Sequence, residues 1–436
     1  MLEPIRYTPN SKEPKLRDIL SRRIEFTPEL EASVNRIVNE VEAKGDCAVL
    51  SFTKEFDGVD LSPDRLVVTP DELDAAAGQT DTALVQVIEK AAANIRRFHE
   101  NQKKPSWFVD DGDGVILGKR IVPIERVCLL VPGASAPLFS TLLMAAIPAR
   151  IAGVSHLSVA TPPQPDGEIH PAVLTAAKIA GVDRVYRAFG AQAVAALAFG
   201  TETFTRVDKL VGPGHPVVQI AKKCVFGRVG IDTIAGPSEI VVVADHTAVP
   251  RHIAADMLSQ AEHGSGYETA VCITPDPEVA RRVAAELKRQ LVDLSHGEAA
   301  KQVLSRYGAI VIVDDLRQAV SLVNEIAPEH VELIVEDPWR LQSGIRNAGA
   351  IFLGAASSEP VGDYFAGTNH ILPTAGAARY ASSVGVDTFL KEISLIYYTD
   401  ERLRKTGGAI IQMAEAEGLD GHANAIRVRL QSPEAE

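Results

Sequence analysis

The spacing of apolar positions changes character partway along the chain. Between residues 28 and 103 they recur at helical spacing among charges. "PELEASVNRIVNEVEAKG" (28–45) is amphipathic and stops at Gly45, and "PDELDAAAGQTDTALVQVIEKAAANIRRFHENQK" (70–103) supplies at least two more helices. From residue 127 the apolar runs become short and continuous. "VCLLVP", "LSVATPP" (157–163), "RVYRA" (184–188) and "KLVGPG" (209–214) read as strands buried on both faces. Helices lie between them, from about Ser140 to Ala152, over "PAVLTAAKIAG" (171–181) and over "AQAVAALAFG" (191–200). The pattern restarts at "EIVVVAD" (239–245) and runs through "TAVCITP", "GAIVIVDD", "HVELIVED" and "GAIFLG", again with helices between.

Strands alternating with helices build parallel sheets. The expected fold is α/β, with two Rossmann-like parallel-sheet domains, a helical N-terminal segment and a helical C-terminal tail. The expected division is a segment over 1–27, a discontinuous first α/β domain of 28–130 plus 240–382, a second over 131–239, and a tail over 383–436. No strand is expected after residue 380. The tail has apolar patches, "ISLIYY" and "AIIQM", but is too short for a domain, so it is expected to cover an apolar surface elsewhere.

Composition narrows the function. A chain of 436 residues needs more than one core. A net charge of −13 argues against a general nucleic-acid binder, whose footprint is basic. The four cysteines, at 47, 128, 224 and 272, lack metal or redox spacing and suit a reducing, cytoplasmic setting. "MLEPIRYTPNSKEPK" has no apolar signal-peptide core. The uncharged run 127–149 is long enough to mimic a membrane span, but Pro132, Gly133 and Pro137 break it, so no membrane partner is expected.

Candidate chemistry gathers where strands and helices end, which is where open α/β sheets place ligands. "LSQAEHGSG" (258–266) ends a helix with Gln260 and His263, three apart and on one face. "APEHVEL" puts Glu329 and His330 just before a strand. "GDYFAGTNH" carries Asp363 and His370, and "EGLDGHA" carries Glu417 and His422. Each has a plain alternative: His263 could be a helix cap, and Glu329 could open a strand in a solvated turn. Together, two imidazoles, a carboxylate and an amide oxygen could form an N/O site suited to zinc, although no HExxH or CxxC is present. "VGPGHP" and "AGPSE" (235–239, with Ser238) are glycine-bearing turns, the first at a helix N-terminus where backbone N–H groups can meet phosphate.

The ordered set "VGPGHPVVQIAKKCVFGRVGIDTIAGPSEIVVVAD", "LSQAEHG", "APEHVEL", "AGAIFLG", "GDYFAGTNHILPTAG" and "EGLDGHA" resembles the histidinol dehydrogenase family across nearly the whole chain. The resemblance implies oxidation of L-histidinol to L-histidine through L-histidinaldehyde, with two NAD+ and a bound Zn2+. It implies Gln260, His263, Asp363 and His422 as zinc ligands, Glu329 and His330 as the acid–base pair, and Ser238, His370 and Glu417 as further substrate contacts beside His330 and the ligands. It also implies a homodimer whose tail reaches the partner's site. Leu130, Gln192 and His215 fall at its cofactor contacts. Leu130 stands where a family tyrosine is usual, His215 replaces an asparagine, Phe189 replaces a glycine, Ala134 replaces the second glycine of "PGG", and Lys391–Glu392 stand in the tail's "FxKR" motif. These changes imply altered nicotinamide-cofactor contacts. They leave open a paralogue acting on another alcohol, such as sulfopropanediol. A zinc- or nucleotide-binding protein without turnover would have no use for the Glu329–His330 pair.

Overall fold

The computed structural model describes residues 2–8, 13–21, 26–133, 136–263, 266–295 and 297–431, so the departure at Ala134 lies outside the described residues. In chain order the strands are β1 (Pro4–Arg6), β2 (Trp107–Asp110), β3 (Val115–Pro123), β4 (Arg126–Leu130), β5 (His156–Thr161), β6 (Arg184–Arg187) and β7 (Lys209–Val211). They continue with β8 (Gly230–Ile231), β9 (Glu239–Ala244), β10 (Thr269–Thr274), β11 (Gly308–Ile312), β12 (His330–Ile334), β13 (Ala350–Leu353) and β14 (Leu390–Tyr398). The chain divides into two compact units, residues 1–102 with 124–389, and residues 103–123 with 390–436.

The larger unit holds two parallel sheets. One runs β6-β5-β4-β7-β8 and the other β1-β11-β10-β9-β12-β13. Numbered within each block, both have the order 3-2-1-4-5, and β1 extends the second at its edge. This is the doubly wound topology, and the order reverses between β4 and β7 in one sheet and between β9 and β12 in the other. The continuous apolar runs are explained by helices on both faces: every residue of β9, β10 and β12 is buried. The membrane-like run splits into β4 and the helix Phe139–Ala152, whose residues 141–149 are all buried. No helix among the described residues is long and apolar enough to cross a membrane.

Three expectations change. The stretch 28–130 does not join the β9–β13 sheet. Strand β4 pairs with β5 and β7, and Val34, Ile37, Val41, Val49 and Phe52 pack in one core with Cys128, Leu130 and Ala160. Apolar periodicity reports that a helix has a buried face but not which sheet it faces. The N-terminal segment is not a separate helical piece: β1 pairs in parallel with β11, and Leu16 and Ile19 lie in the core with Val241 and Val271. The tail is not wholly helical either. "LKEISLIYY" is a nine-residue strand, β14, antiparallel to β3, which also pairs with β2. Its β-branched and aromatic residues suit a pleated surface better than a helix. The helices Asp400–Ala416 and Asp420–Leu430 follow it as expected.

This smaller unit has almost no core. Among its described residues only Val115, Gly118, Gly407 and Ala423 are buried. Phe108 is 71% exposed, Ile396 74% and Trp107 51%.

Candidate active site

In a βαβ unit a helix runs opposite to its strands, so its C-terminus arrives at the edge where the strands begin. The helix Pro250–Ala261 therefore delivers Gln260 and His263 to the edge from which β9 and β12 start. Glu329 and His330 stand there, at the start of β12, and Glu239 opens β9 beside them. In the other sheet the glycine-bearing loop after β7 lies at the strands' carboxyl ends, the usual ligand edge. The sequence pattern does not reveal that the second sheet uses its amino edge.

The peptide of Glu239 grips both members of the pair. Its N–H donates to Glu329 Oε2 at 2.9 Å, and its carbonyl lies 3.0 Å from His330 Nδ1. Accepting from that ring nitrogen makes His330 an Nδ1–H imidazole and leaves Nε2 unprotonated. Nε2 is buried with no hydrogen-bond partner among the described residues, and it lies 3.9 Å from Asp363 Oδ1. The Phe352 ring packs beside the imidazole at 5.9 Å. Burial pushes His330 down to about 3, helped by the nearby His263 and His370. Burial keeps the ring neutral throughout the physiological range. Glu329 moves the other way. Burial raises its proton affinity well above the usual carboxylate range, and the carboxyls of Glu239, Asp363 and Glu359 add to this against the Glu239 N–H.

Asp363 sits in the π-helical turn Gly362–Ala366. Burial pushes it to about 6, while Glu359, pushed by burial and by Asp363 to about 8, donates its proton to the Asp363 carboxylate. Glu359 in turn accepts from Ser259 Oγ at 3.3 Å, and its N–H donates to Glu332 Oε1 at 2.7 Å. Glu332 is raised to about 9, chiefly by burial and then by its hydrogen-bonded neighbour Asp256. Glu359, Glu332, Asp256 and the Glu239 peptide are absent from the sequence-based candidates. The four-residue step from Glu359 to Asp363 could have revealed the first. A carboxylate inside the apolar run "HVELIV" could have revealed the second.

His330, Glu359 and Asp363 offer donor atoms all within 4.8 Å of one another. Of the expected zinc ligands this compact group contains Asp363. Gln260 is fully buried, and its Oε1 has no hydrogen-bond partner among the described residues. A buried amide oxygen without a partner is costly unless a ligand uses it. His263 is exposed at the helix end. Its Nδ1 lies 3.1 Å from the Gln260 carbonyl, so it does cap the last turn, and Nε2 remains for a metal. These donors, a neutral oxygen, an imidazole and a carboxylate, fit a zinc ion.

The other expected residues fall in different places. Ser238 is half-buried, immediately before Glu239. His370 lies in the cluster with both ring nitrogens engaged, Nδ1 donating to the Asp363 carbonyl at 3.0 Å and Nε2 paired with Thr141 Oγ1 at 3.1 Å. Glu417 and His422 are exposed residues of the smaller unit. Among the expected cofactor contacts, Leu130 is 1% exposed within a core cluster, Gln192 is buried at the start of the helix Ala191–Phe199, and His215 is exposed as the N-cap of the helix Pro216–Val225. Phe189 is buried, and Lys391 and Glu392 lie on β14.

Comparison with known proteins bears on what this geometry serves. A family model described as histidinol dehydrogenase matches residues 20–430. A histidinol dehydrogenase of Synechococcus sp. is 50% identical over 402 residues, covering 92% of this chain and 92% of that protein. One of Geobacillus kaustophilus is 48% identical over 416 residues, covering 95% and 97%. A crystal structure of histidinol dehydrogenase from Elizabethkingia anophelis superimposes with a TM-score of 0.92 at 37% identity, covering 98% of each chain.

Proposed function

Because the chain belongs to the histidinol dehydrogenase family, whose members are oxidoreductases, we propose that it oxidises L-histidinol to L-histidine in two successive two-electron steps with NAD+. The observation that carries this reading is the Glu239 main chain holding a carboxyl and an imidazole side by side, next to Asp363. Zinc held by Gln260, His263, Asp363 and His422 would bind and orient the substrate's polar groups, and the nicotinamide would take the hydride at each stage.

The chain's own residues handle the protons. His330 Nε2 accepts the hydroxyl proton as the alcohol becomes an aldehyde. The Asp363 carboxylate, 3.9 Å from Nε2, compensates the imidazolium that forms. In its ionised form Glu329 takes a proton from the water that hydrates the aldehyde, and burial makes that carboxylate a stronger base than an exposed one. Ser238, His370 and Glu417 position the substrate, and Gln192 and His215 border the cofactor. Enclosing both steps in one site keeps a reactive amino-aldehyde from solvent. Purified protein given L-histidinol and NAD+ should form two NADH per histidine; no turnover of histidinol would refute the reading.

The smaller unit supports a homodimer with shared sites. A three-stranded sheet with so few buried residues needs another surface to cover it, and in the homodimer proposed here a second copy of the chain supplies that surface. In this reading Glu417 and His422 complete the site of the partner.

Three outcomes check these assignments. His263→Asn protein should lose zinc, measured by elemental analysis after dialysis; stoichiometric zinc with normal turnover would remove His263 from the ligand set. Glu329→Gln should retain alcohol oxidation better than aldehyde oxidation, whereas His330→Asn should slow the first step by roughly 100-fold or more. Single-turnover assays from histidinol and from histidinaldehyde separate the two, and equal losses on both substrates in both variants would contradict the division of roles. Finally, Glu329→Gln and His422→Ala subunits, each deficient in forming histidine, should regain histidine formation when denatured and refolded together, because each mixed dimer then has one intact site. Sites built from single chains would stay dead.

A further inference from the structure

The two glycine-bearing loops of the larger unit run side by side, and one helix laces them together. The first, Gly212–His215, follows β7 and leads into the helix Pro216–Val225. Gly212 has φ +132, and a Cβ there would meet the Leu130 carbonyl oxygen at 2.3 Å, so this loop lies against the end of β4. The second, residues 232–238, leads into β9 and the Glu239 peptide.

Two side chains of the helix, three residues apart and so on one face, reach both loops. Lys222, fully buried, donates to the Gly212 carbonyl at 3.0 Å and to Asp232 Oδ1 at 2.5 Å. Asp232 Oδ2 accepts from the Gly212 N–H at 2.8 Å. That clasp closes the base of the paired loops. Gln219, 1% exposed, closes them nearer the site. Its Nε2 donates to the Gly214 carbonyl at 3.2 Å, and its Oε1 accepts from the Ala235 N–H at 2.9 Å. Each end of one amide holds a different loop. The next peptide is tied as well, Gly236 N–H to Thr374 Oγ1 at 2.5 Å, and Glu239 then grips Glu329 and His330.

Resting on the function proposed above, we propose that Gln219 is a positioning residue that couples the cofactor-side loop Gly212–His215 to the loop carrying Ser238 and the Glu239 peptide. The cofactor and the substrate must meet with the hydride donor and acceptor carbons in contact, and small displacements are costly to rate. The two binding edges come from different sheets, so a direct bond between their loops fixes that distance better than either sheet alone. Only a side chain that both donates and accepts can do this. Glutamine can; an ionised glutamate keeps the acceptor and loses the donor; leucine loses both.

The variants Gln219→Leu and Gln219→Glu test this, with zinc-loaded wild-type protein as reference and assays at alkaline pH, where an ionised glutamate donates nothing. Hydrogen exchange of residues 212–215 and 235–238 reads the tether without any substrate. Gln219→Leu should speed exchange in both segments and raise the KM for NAD+ and for histidinol, each by roughly tenfold, the size of one lost hydrogen bond. Gln219→Glu should leave 235–238 protected and the histidinol KM within about twofold, while 212–215 loosens and the NAD+ KM rises, as expected for one bond kept and one lost. Thermal stability alone cannot produce that split. Identical exchange and KM patterns in the two variants, or unchanged protection of both loops in Gln219→Leu, would overturn the coupling. Wild-type protein that fails to oxidise histidinol would refute the function and leave the exchange result to decide the tether.

Discussion

The main chain of one residue, Glu239, holds the site together. The N–H and C=O of Glu239 point to the same side of β9, toward β12, and each is taken by a side chain arriving with that strand, the Glu329 carboxyl and the His330 ring. Main-chain groups of a buried strand cannot reorient, so this single bond pair fixes which oxygen of the carboxyl is engaged and which ring nitrogen carries the proton. It also explains why acid and base can be adjacent in sequence. Both are gripped where β12 enters the sheet, and so both face the same edge.

The cost of that arrangement is local charge. Glu329, Glu332, Glu359, Asp363 and Asp256 are gathered where water is scarce, and burial raises the proton affinity of each. The fold manages this by hydrogen-bonding carboxyls in pairs, Glu359 with Asp363 and Glu332 with Asp256, and by spending backbone N–H groups on them. A divalent cation among such groups would favour their ionised forms. The same charge balance accounts for the imidazole. Burial of His330, aided by His263 and His370, outweighs its hydrogen bond to the Glu239 carbonyl, and the ring stays neutral.

Much of this was legible in the residues. The continuous runs "EIVVVAD" and "HVELIVED" mark fully buried strands, and Gln260, Glu329, His330, Asp363 and His370 stand out as polar groups at element ends. Four things were not. Pairing partners are long-range, so the placement of β4 and of the N-terminal helices could not be read from periodicity. "LKEISLIYY" lies in a unit with almost no core of its own, and without a buried face its alternation is weak. Glu239 acts through its main chain, which no side-chain motif records. Gln219 does its work by hydrogen-bonding two loops that are 21 residues apart, 214 and 235, and looks like an ordinary helix residue.

The account stands on the protonation state that the Glu239 carbonyl imposes. Nitrogen-15 NMR of protein labelled at histidine, with His330→Asn used to assign the resonance, measures it directly. The His330 ring should show a protonated Nδ1 and an unprotonated Nε2 at neutral pH, unchanged until the solution is taken well below pH 5, consistent with a value of about 3. A protonated Nε2, or an imidazolium at neutrality, would contradict it.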